Sequence, residues 1–211
     1  MDIIGSLFGT SMSNTLVLLS GGLDSAAMTH LLLKDSTDNQ IHIHHIDIKN
    51  QENRWMVEKV AVTNILNYFR NNNYPKFLYS ETSIESPSFN GNFLYDTDCI
   101  NFFAGYIASV NPKIKQVAYG AIKSEFAQIG NSKRFTRAMS IFSSFTDIPK
   151  TYPVKDYDKK DLAEMIPKEL LDLTWSCRTP KYENDYAIPC GMCQTCSMLT
   201  KAGITQNKIH I

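Results

Sequence analysis

The segment LVLLSGGLDSAAMTHLLLK, residues 16–34, places small polar residues between two apolar runs. The first run is short and aliphatic, as in a buried strand, and the second has the length and spacing of a helix. Two consecutive glycines, Gly21 and Gly22, let the backbone turn sharply and approach a ligand closely. The free N–H groups and the dipole of a helix that begins there favour a bound anion. The segment therefore predicts either a simple strand-to-helix turn or a phosphate-binding loop.

The side chains of the turn favour the phosphate-binding interpretation. Ser20 and Ser25 can donate hydroxyl hydrogen bonds to phosphate oxygens, whereas Asp24 suits a helix cap or a Mg²⁺ ligand. The G-K-[ST] ending of a Walker A loop is absent. The candidate nucleotide-binding residues of this loop are Ser20, Gly21, Gly22, Leu23, Asp24 and Ser25.

Strand-like and helix-like segments alternate along the chain. The predicted strands are 15–19, 40–48, 77–79 and 115–119, and the predicted helices are 23–34, 53–70, 98–110, 133–145 and 159–166. This alternation predicts an α/β fold, a parallel sheet with helices on both faces and ligands at the carboxyl ends of the strands. We expect a nucleotide-binding domain over 14–170, a flexible lead-in over 1–13, and a C-terminal segment, 171–211, packed on the same domain.

Composition limits the partners. The chain has 211 residues, 43% of them hydrophobic, which is enough for one sizeable core. Lys plus Arg and Asp plus Glu are equal at 21 each, so no overall basic field attracts nucleic acid or an anionic membrane. No apolar run reaches the roughly 20 residues needed to span a bilayer, and residues 1–13 do not have the pattern of a signal peptide. We expect a cytoplasmic protein that binds small molecules.

Four of the five cysteines are close together in the C-terminal part of the sequence. Cys190, Cys193 and Cys196 form a C-x₂-C-x₂-C run, and Cys177 lies upstream. In a cytoplasmic chain this spacing fits a closed tetrahedral Zn²⁺ site, which we expect to be structural because it leaves no open position for substrate. An iron–sulfur cluster is the main alternative, although in ferredoxin-type runs the fourth cysteine follows the run.

The two motifs together resemble a known family. SGGLDS looks like the PP-loop of ATP pyrophosphatases, and with TWSC and CGMCQTC it resembles 7-cyano-7-deazaguanine synthases, the QueC-like family. The resemblance implies that ATP and Mg²⁺ activate the carboxylate of 7-carboxy-7-deazaguanine, that ammonia gives an amide, and that a second ATP drives dehydration to the nitrile. The product would serve queuosine or modified DNA bases, and family members are commonly homodimers.

Several substrate-side positions depart from the family pattern. Arg54 and Glu58 match a Q-R-H-x-x-E element that has lost its His, and Arg54 remains a candidate for binding phosphate or carboxylate. A P-G-R-N element falls on YDTDC, so an acidic neighbourhood of Asp96 and Asp98 replaces its Arg.

Two later elements supply further candidates. YGAIKSEF resembles T-G-x-x-x-x-D-F: Gly120 is kept as a candidate cofactor-binding residue, and Lys123 replaces a family Glu. YPVKDYDKKDLAEM resembles the family segment with a phosphate-binding lysine, which makes Lys159 the candidate and Asp161 its acidic companion. The candidate catalytic residues are thus Asp24, Lys123 and Lys159.

Several functions remain open at this point. The enzyme is a divergent synthase, or a paralogue that converts the same acid to the amide or to decarboxylated 7-deazaguanine. Another PP-loop enzyme, such as a tRNA-thiolating one, is a second alternative, and a non-catalytic zinc module is a third. Trp175 either stacks on the base or packs against the cysteine cluster, and strand alternation places His42 and His44 on one face with no assigned metal role.

Overall fold

The computed structural model describes residues 14–85, 95–125 and 132–211. A five-stranded, fully parallel sheet has the order β3-β2-β1-β4-β5. Its strands are β1 Asn14–Leu18, β2 Ile41–Lys49, β3 Leu78–Glu85, β4 Ile114–Ala118 and β5 Lys150–Thr151. The strand order reverses direction between β1 and β4, and ligands of such sheets bind at that reversal, outside the carboxyl ends of the strands.

Helices cover both faces of this sheet, which confirms the predicted fold class. They are α1 Leu23–Lys34, α2 Trp55–Asn71, α3 Asp96–Val110, α4 Lys133–Ser143, α5 Lys159–Met165, α6 Lys168–Leu171 and α7 Gln194–Lys201. Val17 and Ile43 face a core built with α1 and α2, whereas Leu16 and Val117 face α3 and α4. The apolar run Leu16–Leu18 of β1 is typical of a strand that is covered on both faces of the sheet.

Most predicted boundaries differ from the observed ones by one or two residues, and two of the differences have a local reason. Helix α2 begins at Trp55 rather than 53, because Asn53 adopts a left-handed backbone with φ of 51°. Strand β3 runs for eight residues, well beyond the predicted 77–79, and pairs with β2 along its whole length. Its polar residues fit because β3 is an edge strand with one alternating exposed face.

The C-terminal segment forms a second, smaller sheet that the strand predictions missed. Its three antiparallel strands are β6 Lys181–Glu183, β7 Tyr186–Ile188 and β8 Ile209–His210. Buried residues of this segment, including Trp175 and Ile209, share an apolar cluster with Val57 and Ala61 of α2. The expected lead-in over 1–13 and Phe126, the last residue of the YGAIKSEF element, lie outside the described residues.

Candidate active site and metal centre

The glycine turn joins β1 to α1 at the reversal point of the sheet. Gly21 has a φ of +84°, and a Cβ there would lie 3.1 Å from the Glu58 carbonyl oxygen, so a side chain would be both strained and crowded. Gly120, which follows β4, packs so closely that a Cβ would lie 2.9 Å from the Ser25 nitrogen. Two glycines thus allow β4 and α2 to pack directly against the start of α1.

Hydroxyl groups hold this turn in shape. Ser25 Oγ accepts from the Ser20 N–H at 3.1 Å, lies 3.1 Å from Ser20 Oγ, and donates to the Gly22 carbonyl. The first N–H groups of a helix have no acceptors within it, so those of α1 face the turn. Leu23 N–H donates to Ser176 Oγ at 3.2 Å. Among the described residues, no other side chain accepts a hydrogen bond from the N–H groups of this first turn.

Asp24 and Lys159 form an ion pair beside the turn. Lys159 Nζ lies 2.7 and 2.6 Å from the two carboxylate oxygens of Asp24, and the lysine side chain is 8% exposed. Asp161 is therefore not the companion of Lys159, contrary to the sequence prediction. Its carboxylate accepts the Asp158 N–H at 2.9 Å and completes a capping box at the start of α5.

A cavity of about 710 Å³ opens at the carboxyl ends of β1, β2 and β4. Most of the predicted binding residues line it: Ser20, Gly22, Asp24, Ser25, Arg54 and Gly120. Gly21 and Leu23 belong to the same turn but are not among the described residues that line the cavity. Lys123 has an exposed side chain and is not among the described residues that line the cavity. Its catalytic role stays a prediction.

Arg54 sits in a buried cluster of carboxylates on the cavity wall. Its Nε bonds Glu52 at 2.7 Å, its Nη1 bonds Glu58 at 2.6 Å, and its Nη2 bonds Asp96. Burial opposes ionisation, yet these three carboxylates raise the pKa of Arg54. The guanidinium charge is thus compensated, and a phosphate or substrate carboxylate would have to displace one of these partners.

Arg178 joins this cluster and was missed by sequence reasoning. Its Nη2 lies 3.1 Å from Glu52 and 3.3 Å from Asp96, and its side chain lines the cavity. Asp96 stands where the resembled family has an Arg, and here guanidinium groups reach it from two other segments. Nothing in the spacing of TWSCR indicates that Arg178 crosses to the start of α3.

Two histidines of β2 line the cavity with different partners. His45 is 1% exposed, and its Nδ1 and Nε2 lie 2.8 Å from the Leu19 carbonyl and 2.9 Å from Asp47. His42 and His44 share Ser80 Oγ at 2.7 Å each, which confirms that they lie on one face. Burial lowers the pKa of His44 to about 4, so this imidazole is neutral.

The cavity is also lined by a lysine, Lys150, that the sequence analysis does not identify. Lys150 Nζ donates to Asn101 Oδ1 at 2.6 Å, and its ammonium lies 4.2 Å from the centre of the Phe142 ring. Tyr119 OH also donates to Asn101 Oδ1, at 3.3 Å. A two-residue strand, β5, positions Lys150, and no periodicity in the sequence marks so short a strand.

The four predicted metal ligands converge. The sulfur atoms of Cys177, Cys190, Cys193 and Cys196 all lie within 4.8 Å of one another. A tetrahedral ion with metal–sulfur bonds of about 2.3 Å holds its sulfurs about 3.8 Å apart, so the cluster fits a single ion. In a four-iron cluster each thiolate binds a different iron, which spreads the sulfurs more widely.

Backbone N–H groups donate to two of these sulfurs in a way that favours their thiolates. Cys190 Sγ accepts from Met192 and Cys193 at 3.4 and 3.3 Å, and Cys193 Sγ accepts from Cys196 at 3.5 Å. Desolvation opposes ionisation of Cys190, but hydrogen bonds from Thr179, Met192 and Cys193 lower its pKa to about 6. Such bonds favour thiolates, the form that binds metal.

The segment next to this centre buttresses the glycine turn. Trp175 N–H donates to the Gly21 carbonyl at 2.8 Å, and its indole N–H donates to the Cys177 carbonyl at 3.0 Å. Trp175 is 1% exposed and packs in the cluster around the cysteines. Of its two predicted roles, the structure thus selects packing over stacking on a base.

Comparison with known proteins finds similarity among solved structures. No protein-family model and no curated protein matches the chain. Among solved structures, the chain is similar to the U34-tRNA thiolase NcsA from Methanococcus maripaludis with its [4Fe-4S] cluster, at a TM-score of 0.51 and 15% identity. The match covers 92% of this chain but 65% of the thiolase, so the chain spans less than two thirds of that protein.

At this identity the likeness establishes the fold. No helix among the described residues is both long enough and apolar enough to cross a bilayer. The chain shares the parallel α/β fold of this thiolase, and it has a C-terminal cysteine cluster able to bind a metal.

Proposed function

We propose that the chain is an ATP-dependent adenylating enzyme. The observation that carries this proposal is the glycine turn at the amino end of α1, which opens into the 710 Å³ cavity with the Lys159–Asp24 pair beside it. A carboxylate oxygen of the substrate attacks the α-phosphorus of ATP, and the bond to the bridging α–β oxygen breaks. Pyrophosphate leaves and an acyl adenylate remains; ammonia then displaces AMP.

Residues of this chain supply binding and orientation. The first-turn N–H groups of α1, with Ser20 and Ser25, hold phosphate oxygens. When ATP binds, Lys159 exchanges its contact with Asp24 for the leaving phosphates and stabilises their growing charge. Asp24 and Glu125 both line the cavity, and paired carboxylates are the donors that Mg²⁺ prefers. Mg²⁺ held there would neutralise charge on the phosphates.

The proposed substrate is 7-carboxy-7-deazaguanine, and the nitrile is the first candidate product. The amide and the decarboxylated base remain alternatives. Support comes from the SGGLDS loop and from the cysteine motifs, which the fold brings together through Trp175 and Ser176. We propose Zn²⁺ for the cysteine centre because its sulfurs are close enough for one ion. A cytoplasmic homodimer that does not bind nucleic acid is part of the same proposal.

Thiolation of tRNA is the second candidate, and the similar structure favours it, because that structure is a tRNA thiolase. A thiolating enzyme must bring a sulfur donor to the adenylated atom. All five cysteines lie within the described residues, and none of them lines the cavity. This distribution supports adenylation of an acid over sulfur transfer.

One assay separates these functions. The protein is incubated with ATP and Mg²⁺, either with ammonium and 7-carboxy-7-deazaguanine or with sulfide and unmodified tRNA. Pyrophosphate is quantified and products are identified by mass. We expect the acid to cause release of pyrophosphate. The product mass then shows whether the enzyme forms the nitrile, the amide or the decarboxylated base. A thionucleoside would establish the second candidate instead.

The assay has a matched pair of variants on one helix. Asp24→Asn at the start of α1 should abolish pyrophosphate release, whereas Asp35→Asn at its exposed C-terminal end should not. If both variants release pyrophosphate like the wild type, the assignment of the loop is wrong.

A further inference from the structure

Lys150 lies in one corner of the cavity, which we define by the lining residues Asn101, Tyr119, Met139 and Lys150. Its ammonium contacts Asn101 Oδ1 at 2.6 Å and the Met139 sulfur at 3.2 Å. The rings of Phe142 and Tyr119 lie 4.2 and 5.4 Å from it. The function proposed above gives this corner no role.

The charge of Lys150 is not paired with a carboxylate, unlike the charges of Arg54 and Arg178. Among the described residues, four cationic side chains line the cavity: Arg54, Arg134, Lys150 and Arg178. Two of them, Arg54 and Arg178, are paired with carboxylates, and Arg134 is exposed over the Tyr95 ring. Within the described part of the chain, no carboxylate lies within ion-pair distance of Lys150. Burial accordingly lowers the pKa of Lys150 to about 8.

The corner has more hydrogen-bond donors than acceptors. The ammonium has three N–H groups, of which one goes to Asn101 and one to the weak acceptor sulfur of Met139. Asn101 Oδ1 accepts from both Lys150 and Tyr119, so its two lone pairs are used. A ligand group placed here is therefore favoured if it accepts hydrogen bonds, and more so if it is anionic.

We propose that Lys150 binds an acceptor oxygen of the ring-bearing substrate and so selects a carboxylated or oxo-substituted ring in this corner. The choice of compounds rests on the proposed function. The exocyclic amino group of adenine is a donor, so the corner is poorly suited to it. The oxygen is either the ring carbonyl or the carboxylate, and the two sources are separable because analogues exist that carry only one of them.

Calorimetric titration without ATP tests this inference. The probes are 7-carboxy-7-deazaguanine, 7-deazaguanine with only the carbonyl, and 7-carboxy-7-deazaadenine with only the carboxylate. Lys150→Met should weaken binding of the first probe about tenfold or more, since a hydrogen bond to a charged group is lost. The matched control is Lys115→Met, an exposed lysine on neighbouring β4, which should bind like wild type.

A second variant covers the case in which Lys150→Met does not fold. Asn101→Asp keeps the lysine but places a carboxylate where the amide oxygen lies 2.6 Å from Nζ. The carboxylate should form an ion pair with the Lys150 ammonium and so weaken substrate binding to a similar extent. Loss confined to the carbonyl probe or to the carboxylate probe supports the inference and identifies the oxygen. Equal affinity of wild type and folded variants, or no binding of any probe to wild type, overturns it.

Failure of the proposed function gives a different result. Binding that depends on Lys150 without pyrophosphate release contradicts adenylation and supports this inference. Pyrophosphate release that is unchanged in Lys150→Met, with unchanged affinity for the acid, supports adenylation and overturns this inference.

Discussion

Asp24 and Lys159 neutralise each other at the amino end of α1, where their contacts are 2.6 and 2.7 Å long. The lysine side chain is almost fully buried, so an unpaired charge there would be costly. A triphosphate arriving at the turn offers the lysine a more highly charged partner. The pair is thus placed to hold the lysine in position until nucleotide binds.

Replacing Lys159 tests this residue directly. Lys159→Gln should reduce the rate of pyrophosphate release by about 10²–10³, the effect of removing one charged donor from a transition state. The control is its exposed neighbour: Lys160→Gln removes a lysine that pairs with Glu164 at 3.9 Å and should leave the rate unchanged. Equal rates for Lys159→Gln and wild type, measured with saturating ATP, would show that Lys159 does not stabilise the transition state.

Glu58 gives a pH dependence of stability. Burial, opposed by Arg54, raises its pKa from 4.5 to about 7; His45 also lowers it, whereas Asp96 and Glu52 raise it. Between pH 4.5 and 7 the folded state holds a proton that the unfolded state has lost. Stability from this group therefore falls as pH rises through that window, by at most about 3 kcal/mol.

The Glu58→Gln variant, which resembles the protonated acid, isolates that contribution. The free energy of unfolding of wild type minus that of Glu58→Gln should decrease from pH 5 to pH 7.5, as measured by urea denaturation. Glu164→Gln, on the exposed face of α5, should show a pH-independent difference. A difference for Glu58→Gln that rises with pH would reverse the assigned direction.

Strands, helices and motifs that are local in sequence could be predicted. Residue roles that depend on contacts between segments distant in sequence could not. The β1–α1 turn was predictable because its glycines and serines are contiguous. The cysteine centre was predictable because three ligands lie within seven residues. Lys150 and Arg178 were not, because their roles arise only where β5 and the C-terminal segment meet α3 and α2. Strand β3 was underestimated because an edge strand tolerates polar residues.

The close approach of β4 to α1 makes Gly120 an element-scale test. Gly120→Ala would place a Cβ 2.9 Å from the Ser25 nitrogen, so backbone must shift, at a cost of about 1–3 kcal/mol. Both thermal stability and nucleotide affinity should fall. Gly203→Ala is the comparison: Gly203 has a positive φ of +73°, which strains an alanine, but a Cβ there would meet nothing within 4 Å. It should lose stability only, and if Gly120→Ala binds nucleotide equally well, the packing of β4 does not shape the loop.

At the scale of the whole molecule, the cysteine centre and the glycine turn are parts of one continuous structure. Cys177 is flanked by Ser176, which accepts from the first turn of α1, and by Arg178, which bonds carboxylates on the cavity wall. Trp175 adds a backbone hydrogen bond to Gly21. A metal bound by the four thiolates would therefore fix residues on the floor and wall of the cavity, although it would not touch substrate.

Removing the metal should therefore weaken nucleotide binding as well as stability. Metal analysis of the purified protein should find one zinc per chain, and Cys193→Ser or strong chelation should lower both the unfolding temperature and ATP affinity. Cys99→Ser, a cysteine outside the cluster, serves as the control for ATP affinity. Ser176→Ala separates the two effects: it should keep the metal and lose part of the affinity, because only the contact to Leu23 is removed. A metal-free Cys193→Ser protein that binds ATP like wild type would show that the cysteine centre and the turn are independent.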